Sequence, residues 1–284
     1  MRNGIAGLDH VIVAVRDLEG ARANWIRLGF TVTPRGRHIG QGTANYCIMF
    51  ERDYLELLGA ATPGDFGDRV AAFLERGEGA MATAFALGGP VEEARAALAE
   101  LALQPSPARA LGRELESPEG TVVPRFSLID LPAEAIPGLD CFLCGHLTPE
   151  LIRRPEWLAH PNGATGLRGV HVLVEDTAPL LPAYDRLFGI QHVTTTDAVA
   201  AVQIGSHRIL FSSPDDFMTM HPGLQLTSDF TAPGIAALEI AVGSSIEAAD
   251  YLRGRGVQFG EMPGRTLAIP AAEANGAILL LTEV

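Results

Sequence analysis

The chain has 284 residues, a hydrophobic fraction of 47%, a net charge of −13 and a pI near 5.0. That length suits about two domains of ordinary size. The acidic balance argues against nucleic acid or an anionic membrane surface as partner, because both call for a basic footprint. No run reaches the roughly 18 to 20 apolar residues of a membrane span, and no apolar signal stretch follows Met1, so a cytoplasmic protein is expected.

In chain order, residues 7–15 read as a strand with one histidine, His10, on an otherwise apolar face. Leu18, Ala21, Trp25 and Leu28 then recur at helical spacing, after Asp17 as N-cap and before Gly29 as a left-handed stop. Residues 31–33, 43–51 and 53–59 supply three strand-like runs, the last with one carboxylate, Glu56, among leucines. The unit is βαβββ. A second unit opens at residues 80–87, with Ala82 set against His10. It continues into a helix from Pro90 carrying Val91, Ala94, Leu98 and Leu101, and runs 108–115, 122–129 and 139–144 follow. A third begins at 169–174, where His171 matches His10, and its helix holds Leu181, Tyr184, Leu187 and Phe188 before Gly189. Its strands are 198–204 and 208–212. The fourth opens at 235–242, has a helix over 245–252, and ends in runs 266–269 and 277–282.

Four units too small to bury both faces of a sheet must pair. The expected class is α+β: βαβββ modules paired into two domains with cupped mixed sheets, helices on the convex sides and ligands in the cups. Boundaries fall at 1–147, a connector at 148–166, and 167–284. The default pairing is first unit with second, with first and fourth as the alternative. Trp157 marks the connector as packed against a domain. Three cysteines, Cys47, Cys141 and Cys144, make no disulfide framework. Cys141 and Cys144 form a single C-x-x-C whose members point to opposite faces of a strand, so core packing is favoured over redox or zinc chemistry.

Leu8-Asp9-His10-Val11, Arg27-Leu28-Gly29-Phe30 and Tyr54-Leu55-Glu56-Leu57, set in repeated βαβββ units, resemble the vicinal oxygen chelate superfamily. Gly36-Arg37-His38, Gly42-Thr43-Ala44-Asn45, and the connector Arg154-Pro155-Glu156-Trp157 with His160-Pro161-Asn162-Gly163-Ala164 are similar to its glyoxalase-like domain subgroup. The resemblance implies a divalent metal ion (Zn, Mn, Fe, Ni or Co) held in a cup by first- and fourth-strand side chains and acting as a Lewis acid. His10 and Glu56 match two such ligands. The second unit offers only Ala82 or Thr83 in its first strand, and His146 at the end of its last, so the implied metal set is His10, Glu56 and His146. His38 and Glu56 are the candidate catalytic residues, and Asn45 and Arg125 the candidate substrate contacts. In the second half Leu210 lies near the Glu56 position, Ala237 stands near the histidine position of the fourth unit, and the final strand lacks a carboxylate. An extradiol-type dioxygenase, whose iron sits in that half, becomes a minor alternative. The expected function is a metal-dependent lyase or isomerase acting on a small oxygenated molecule. The alternative is a non-catalytic small-molecule binder of the bleomycin-resistance type. A homodimer is allowed.

Overall fold

Alternation along β1 (Ile5–Ala14) decides what faces what in the first half. Val11 and Val13 point into the main core, while His10, Ile12 and Ala14 point to the other side. The structure, a computed structural model, describes residues 3–117 and 119–284. β1 runs parallel to β4 (Tyr54–Ala60), with Ile12 opposite Glu56, and antiparallel to β5 (Gly79–Leu87), with His10 opposite Ala84. Outward from β4 lie β3 (Thr43–Met49) and β2 (Gly36–His38). Outward from β5 lie β9 (Cys141–His146), β8 (Arg125–Asp130), β6 (Arg109–Ser117) and β7 (Gly120–Val122). β2 also pairs with β6, His38 opposite Arg113, so the sheet curls back on itself and closes. The first unit thus pairs with the second.

The second half repeats the plan without closure. Its eight strands are β10 (Ala164–Leu173), β11 (Val193–Thr195), β12 (Ala200–Ile204), β13 (His207–Ser212), β14 (Gly234–Val242), β15 (Gly260–Met262), β16 (Thr266–Ile269) and β17 (Ile278–Glu283). Their order is β11-β12-β13-β10-β14-β17-β16-β15, with β10 and β14 as the central antiparallel pair.

The helices α1 (Leu18–Arg27), α3 (Val91–Glu100), α4 (Leu181–Phe188) and α6 (Ser245–Gly254) fall where apolar spacing puts them. Asp17 accepts from the Gly20 N–H and Ser244 from the Glu247 N–H, the expected N-cap bonds. Two further helices lie where the sequence reads as loop. α2 (Asp65–Arg76) lays Val70 and Leu74 on Ile12, Ala14, Leu58 and Ala82, the inner side of the first sheet. α5 (Pro214–Met220) puts Phe217 on the inner side of the second, against Leu173, Ala237 and Leu280. Among the described residues no helix is long and apolar enough to cross a membrane. Residues 31–33 are not a strand. Pro34 has no N–H to give to a ladder, the Thr31 N–H goes to His160 Nδ1, and the strand begins at Gly36.

One core joins the halves: Val11, Val13, Trp25 and Leu55 share it with Val170, Tyr184, Leu238 and Ile240. A buried polar relay crosses the same junction. Asp53 accepts from the Leu167 N–H (2.7 Å) and from His207 Nε2 (3.1 Å), whose Nδ1 accepts from the Leu8 N–H at 3.2 Å. In the connector Trp157 is buried, His160 bonds Thr31 and Met49, and Asn162 bonds the Leu28 carbonyl and the Ala164 N–H. Asp53→Ala strands a buried N–H and an imidazole N–H together, each costing about 1–3 kcal/mol. We expect roughly 3 kcal/mol of destabilisation and a lowered urea midpoint. An unchanged midpoint would show that the relay does not hold the halves together.

Candidate active site

The β1–β5 ladder slips between Leu8 and His10. The slip turns Asp9 inward beside His10, as a bulge does. Asp9 is buried, and burial alone would raise its pKa. The Coulombic pull of His146 and the hydrogen bonds from His10 and His146 outweigh that and hold it well below the usual carboxylate range. An ionised carboxylate only accepts, so His10 Nδ1 (2.7 Å) and His146 Nε2 (2.8 Å to Oδ1) both donate to it. His10 Nε2 is turned toward Glu56, whose Oε2 lies 3.7 Å away. Tyr54 stacks on the imidazole, ring centroids 4.4 Å apart, and Phe142 meets it edge-on.

Glu56, also buried, is oriented by Asn45, whose Nδ2 donates to Oε1. His38 Nε2 stands 3.6 Å from the same oxygen, and its Nδ1 is bonded to the Thr43 hydroxyl. Burial, the first cause, pushes the His38 pKa down to about 4, with Arg113 and His10 adding to it and Glu56 opposing, so His38 is neutral at pH 7. Arg113 on β6 is 1% exposed. Its Nη1 donates to Cys47 Sγ at 3.0 Å, and its plane lies over Phe126. Burial raises the Cys47 thiol to about 11, so it is uncharged. Gly36 makes room here, since a Cβ would come within 2.2 Å of Asn45 Oδ1 and 3.0 Å of Arg113 Cδ. His10, His38, Tyr54, Glu56, Arg113 and Phe142 line a cavity of about 60 Å³. A larger, open groove of about 900 Å³ lies between the halves, but no histidine lines it.

His10, Glu56, His38 and Asn45 therefore converge as the sequence suggests. His146 does not join a metal set with His10 and Glu56: its Nε2 is turned to Asp9, and the ligating atoms of the three do not all lie within 4.8 Å of one another. Arg125 does not reach the cup. It is exposed, on the β8 face opposite Phe126 and Leu128, which line the cavity. Arg113 and Asp9 are the residues missed. Alternation of Arg109, Leu111 and Arg113 along β6 was the available signal for the first; the bulge that recruits the second has none. In the paired unit, the positions matching His10 and Glu56 are Ala82 and Phe142, both in the cavity wall. Among the described residues, the one trio of His, Cys, Asp or Glu with ligating atoms within 4.8 Å of each other is Asp9, Cys144 and His146.

In the second half, His171 Nε2 lies 3.1 Å from Glu239 Oε1, and Arg208 grips the same carboxylate at 2.6 and 2.8 Å. Burial would raise Glu239, but these partners hold it at about 2. Phe217 and Leu224 fill the space in front of that sheet.

Because His38 resists protonation when folded, the unfolded chain binds more protons between pH 6.5 and about 4, and stability falls as pH drops through that window. The full effect is at most about 3 kcal/mol. In urea titrations from pH 7 to 4, His38→Gln should flatten that slope. An identical slope in the variant would remove His38 as its source.

Over residues 8–188 the chain matches the family model described as a glyoxalase-like domain. A search of curated protein sequences gives no match. A hypothetical protein from Staphylococcus aureus superposes with a TM-score of 0.67 at 11% identity, over 98% of this chain and 99% of that one. A xylose isomerase-like TIM barrel/4-hydroxyphenylpyruvate dioxygenase fusion protein gives 0.60 at 15% identity, over 98% of this chain and only 49% of the fusion protein. A mutant of 4-hydroxymandelate synthase from Streptomyces coelicolor gives 0.56 at 15%, over 98% and 92%. At these identities the likeness concerns the fold. The match to the family model spans well over half of the sequence, and the chain belongs to the glyoxalase-like domain family of the vicinal oxygen chelate superfamily.

Proposed function

We propose that the first cup is the active site of a lyase or isomerase that moves protons on a small molecule carrying two neighbouring oxygens. The observation that carries this reading is the pair His10 Nε2 and Glu56 Oε2, 3.7 Å apart at the cavity wall, each oriented from behind by a separate group, Asp9 and Asn45. A base held by a third group is the arrangement that acid–base catalysis uses. For a 2-hydroxy carbonyl compound, Glu56 takes the proton from the carbon and returns it to the neighbouring carbon. His10 Nε2 takes the hydroxyl proton and returns it to the other oxygen, so composition is unchanged. His38, neutral and beside Glu56, adds no competing charge.

The donor set does not suit the divalent ion that the family implies. Two of the four positions supplied by paired units are Ala82 and Phe142, and the buried guanidinium of Arg113 lines the same cavity. The Asp9, Cys144 and His146 group is no better. Burial and Asp9 hold the Cys144 thiol protonated, and Arg153 stands 3.9 Å from Asp9. Thiols ligate metals as thiolates. No step is therefore routed through a metal.

A second reading, a binder without catalysis, is favoured by Phe142 standing where a functional group would be. Solvent-deuterium exchange into small 2-hydroxy carbonyl compounds, followed by NMR, separates the two. We expect His10→Ala and Glu56→Gln to lower exchange by about 10²–10⁴-fold with thermal unfolding retained, and EDTA to leave it unchanged. Exchange that survives both substitutions would end the catalytic reading; loss on chelation with recovery on adding metal would end the metal-free one.

A further inference from the structure

We propose that Arg113 is a carboxylate receptor in the first cup, and that the ligand of this protein is a short monocarboxylate of two or three carbons. The inference rests on that cup being the working site and names its substrate class.

Arg113 is 1% exposed, and a guanidinium out of water must be paired to be tolerated. Its one hydrogen-bond partner is the Cys47 thiol on Nη1, which is neutral and offsets no charge. Among the described residues, no protein atom accepts from Nε or Nη2, and no carboxylate lies within 4.0 Å of the group. Glu56 already takes the Asn45 amide on one oxygen and faces His10 with the other.

Nε–H and one Nη2–H point the same way and form the fork that matches the two oxygens of a carboxylate. Among the described residues that side of arginine is used twice for that purpose. Arg208 grips Glu239 through Nε and Nη2 at 2.6 and 2.8 Å, and Arg109 grips Asp130 through the same atoms at 3.0 and 3.3 Å. Arg113 is one of the residues that line the cavity, and the two nitrogens of that fork are the ones left without an acceptor. It is flanked by the thiol on Nη1 and by the Phe126 ring, whose centroid lies 5.6 Å from the guanidinium carbon.

The cavity sets the size. At about 10–15 Å³ for each water-sized centre, 60 Å³ admits about four to six such groups. A two- or three-carbon acid fills it, with its carboxylate on Arg113 and the adjoining carbon and oxygen toward His10 and Glu56.

The test is calorimetric titration of the full chain with acetate, glycolate and pyruvate at constant ionic strength, with acetamide, chloride and inorganic phosphate in parallel. Saturable binding of the carboxylates, at least tenfold tighter than acetamide, chloride or phosphate, is expected. Arg113→Lys keeps the charge and loses the fork, and should weaken binding tenfold or more. Arg113→Met should abolish it; should that variant not fold, the Lys variant and the wild-type panel decide. Equal binding of acetate and acetamide, preference for chloride or phosphate, or unchanged affinity in Arg113→Lys would each overturn the proposal. His10→Ala should still bind acetate. Binding without proton exchange would then sink the catalytic reading and leave this one standing, and exchange on neutral compounds without carboxylate binding would do the reverse.

Discussion

The first cup depends on one buried negative charge. Asp9 sits where β1 slips out of register, and its ionised carboxylate receives a hydrogen bond from a histidine on its own strand and one from β9. Arg153 of the connector approaches to 3.9 Å. A carboxylate in such a place is costly unless every lone pair is used. Its neighbours therefore have little freedom: His10 takes one orientation, with Nδ1 on Asp9 and Nε2 directed at Glu56. The placing of His10 against Glu56 is a by-product of satisfying that charge.

The two halves show what happens to the same architecture with and without such a centre. In the first, the sheet closes through β2 and β6 and α2 covers part of its inner side, leaving a small, mostly apolar cavity with a few charged groups in its wall. In the second, α5 fills the space, and the surviving His171, Glu239 and Arg208 satisfy each other. Every donor in that trio that faces Glu239 has its acceptor, which is the signature of an ion cluster that holds strands together. The first cup differs in having donors left over, Nε and Nη2 of Arg113.

Much of this was legible in the chain itself. Apolar spacing places β1, α1, α4 and β14, Asp17 announces a helix start, and a lone His10 and a lone Glu56 in apolar strands mark the cup. Glu239 carried the same signal as Glu56, one charge in an apolar strand, and passed unused. What was not legible depends on register. Whether Arg113 or Arg125 faces inward follows from how β6 and β8 pair, and both lie beside strand breaks. His146 is on a strand that reaches the cup, but the bulge at Asp9 draws its ring away. α2 does show helical spacing at Phe66, Val70, Phe73 and Leu74, yet Pro63-Gly64 before it and Gly77 after it frame a segment that looks like a loop.

Closure of the first sheet also bears on self-association. Among the described residues, a barrel joined through β2 and β6 leaves little strand margin on which another chain could add backbone hydrogen bonds, and the terminal strand of its order, β7, has three residues. The second sheet ends in β11 and β15, again three residues each. Margins this short are poor templates for strand addition. Since Asp9, His10, His38, Asn45, Glu56 and Arg113 all belong to one chain, each copy carries a whole cup, and any assembly of copies would have to be built through side chains on the outer surface.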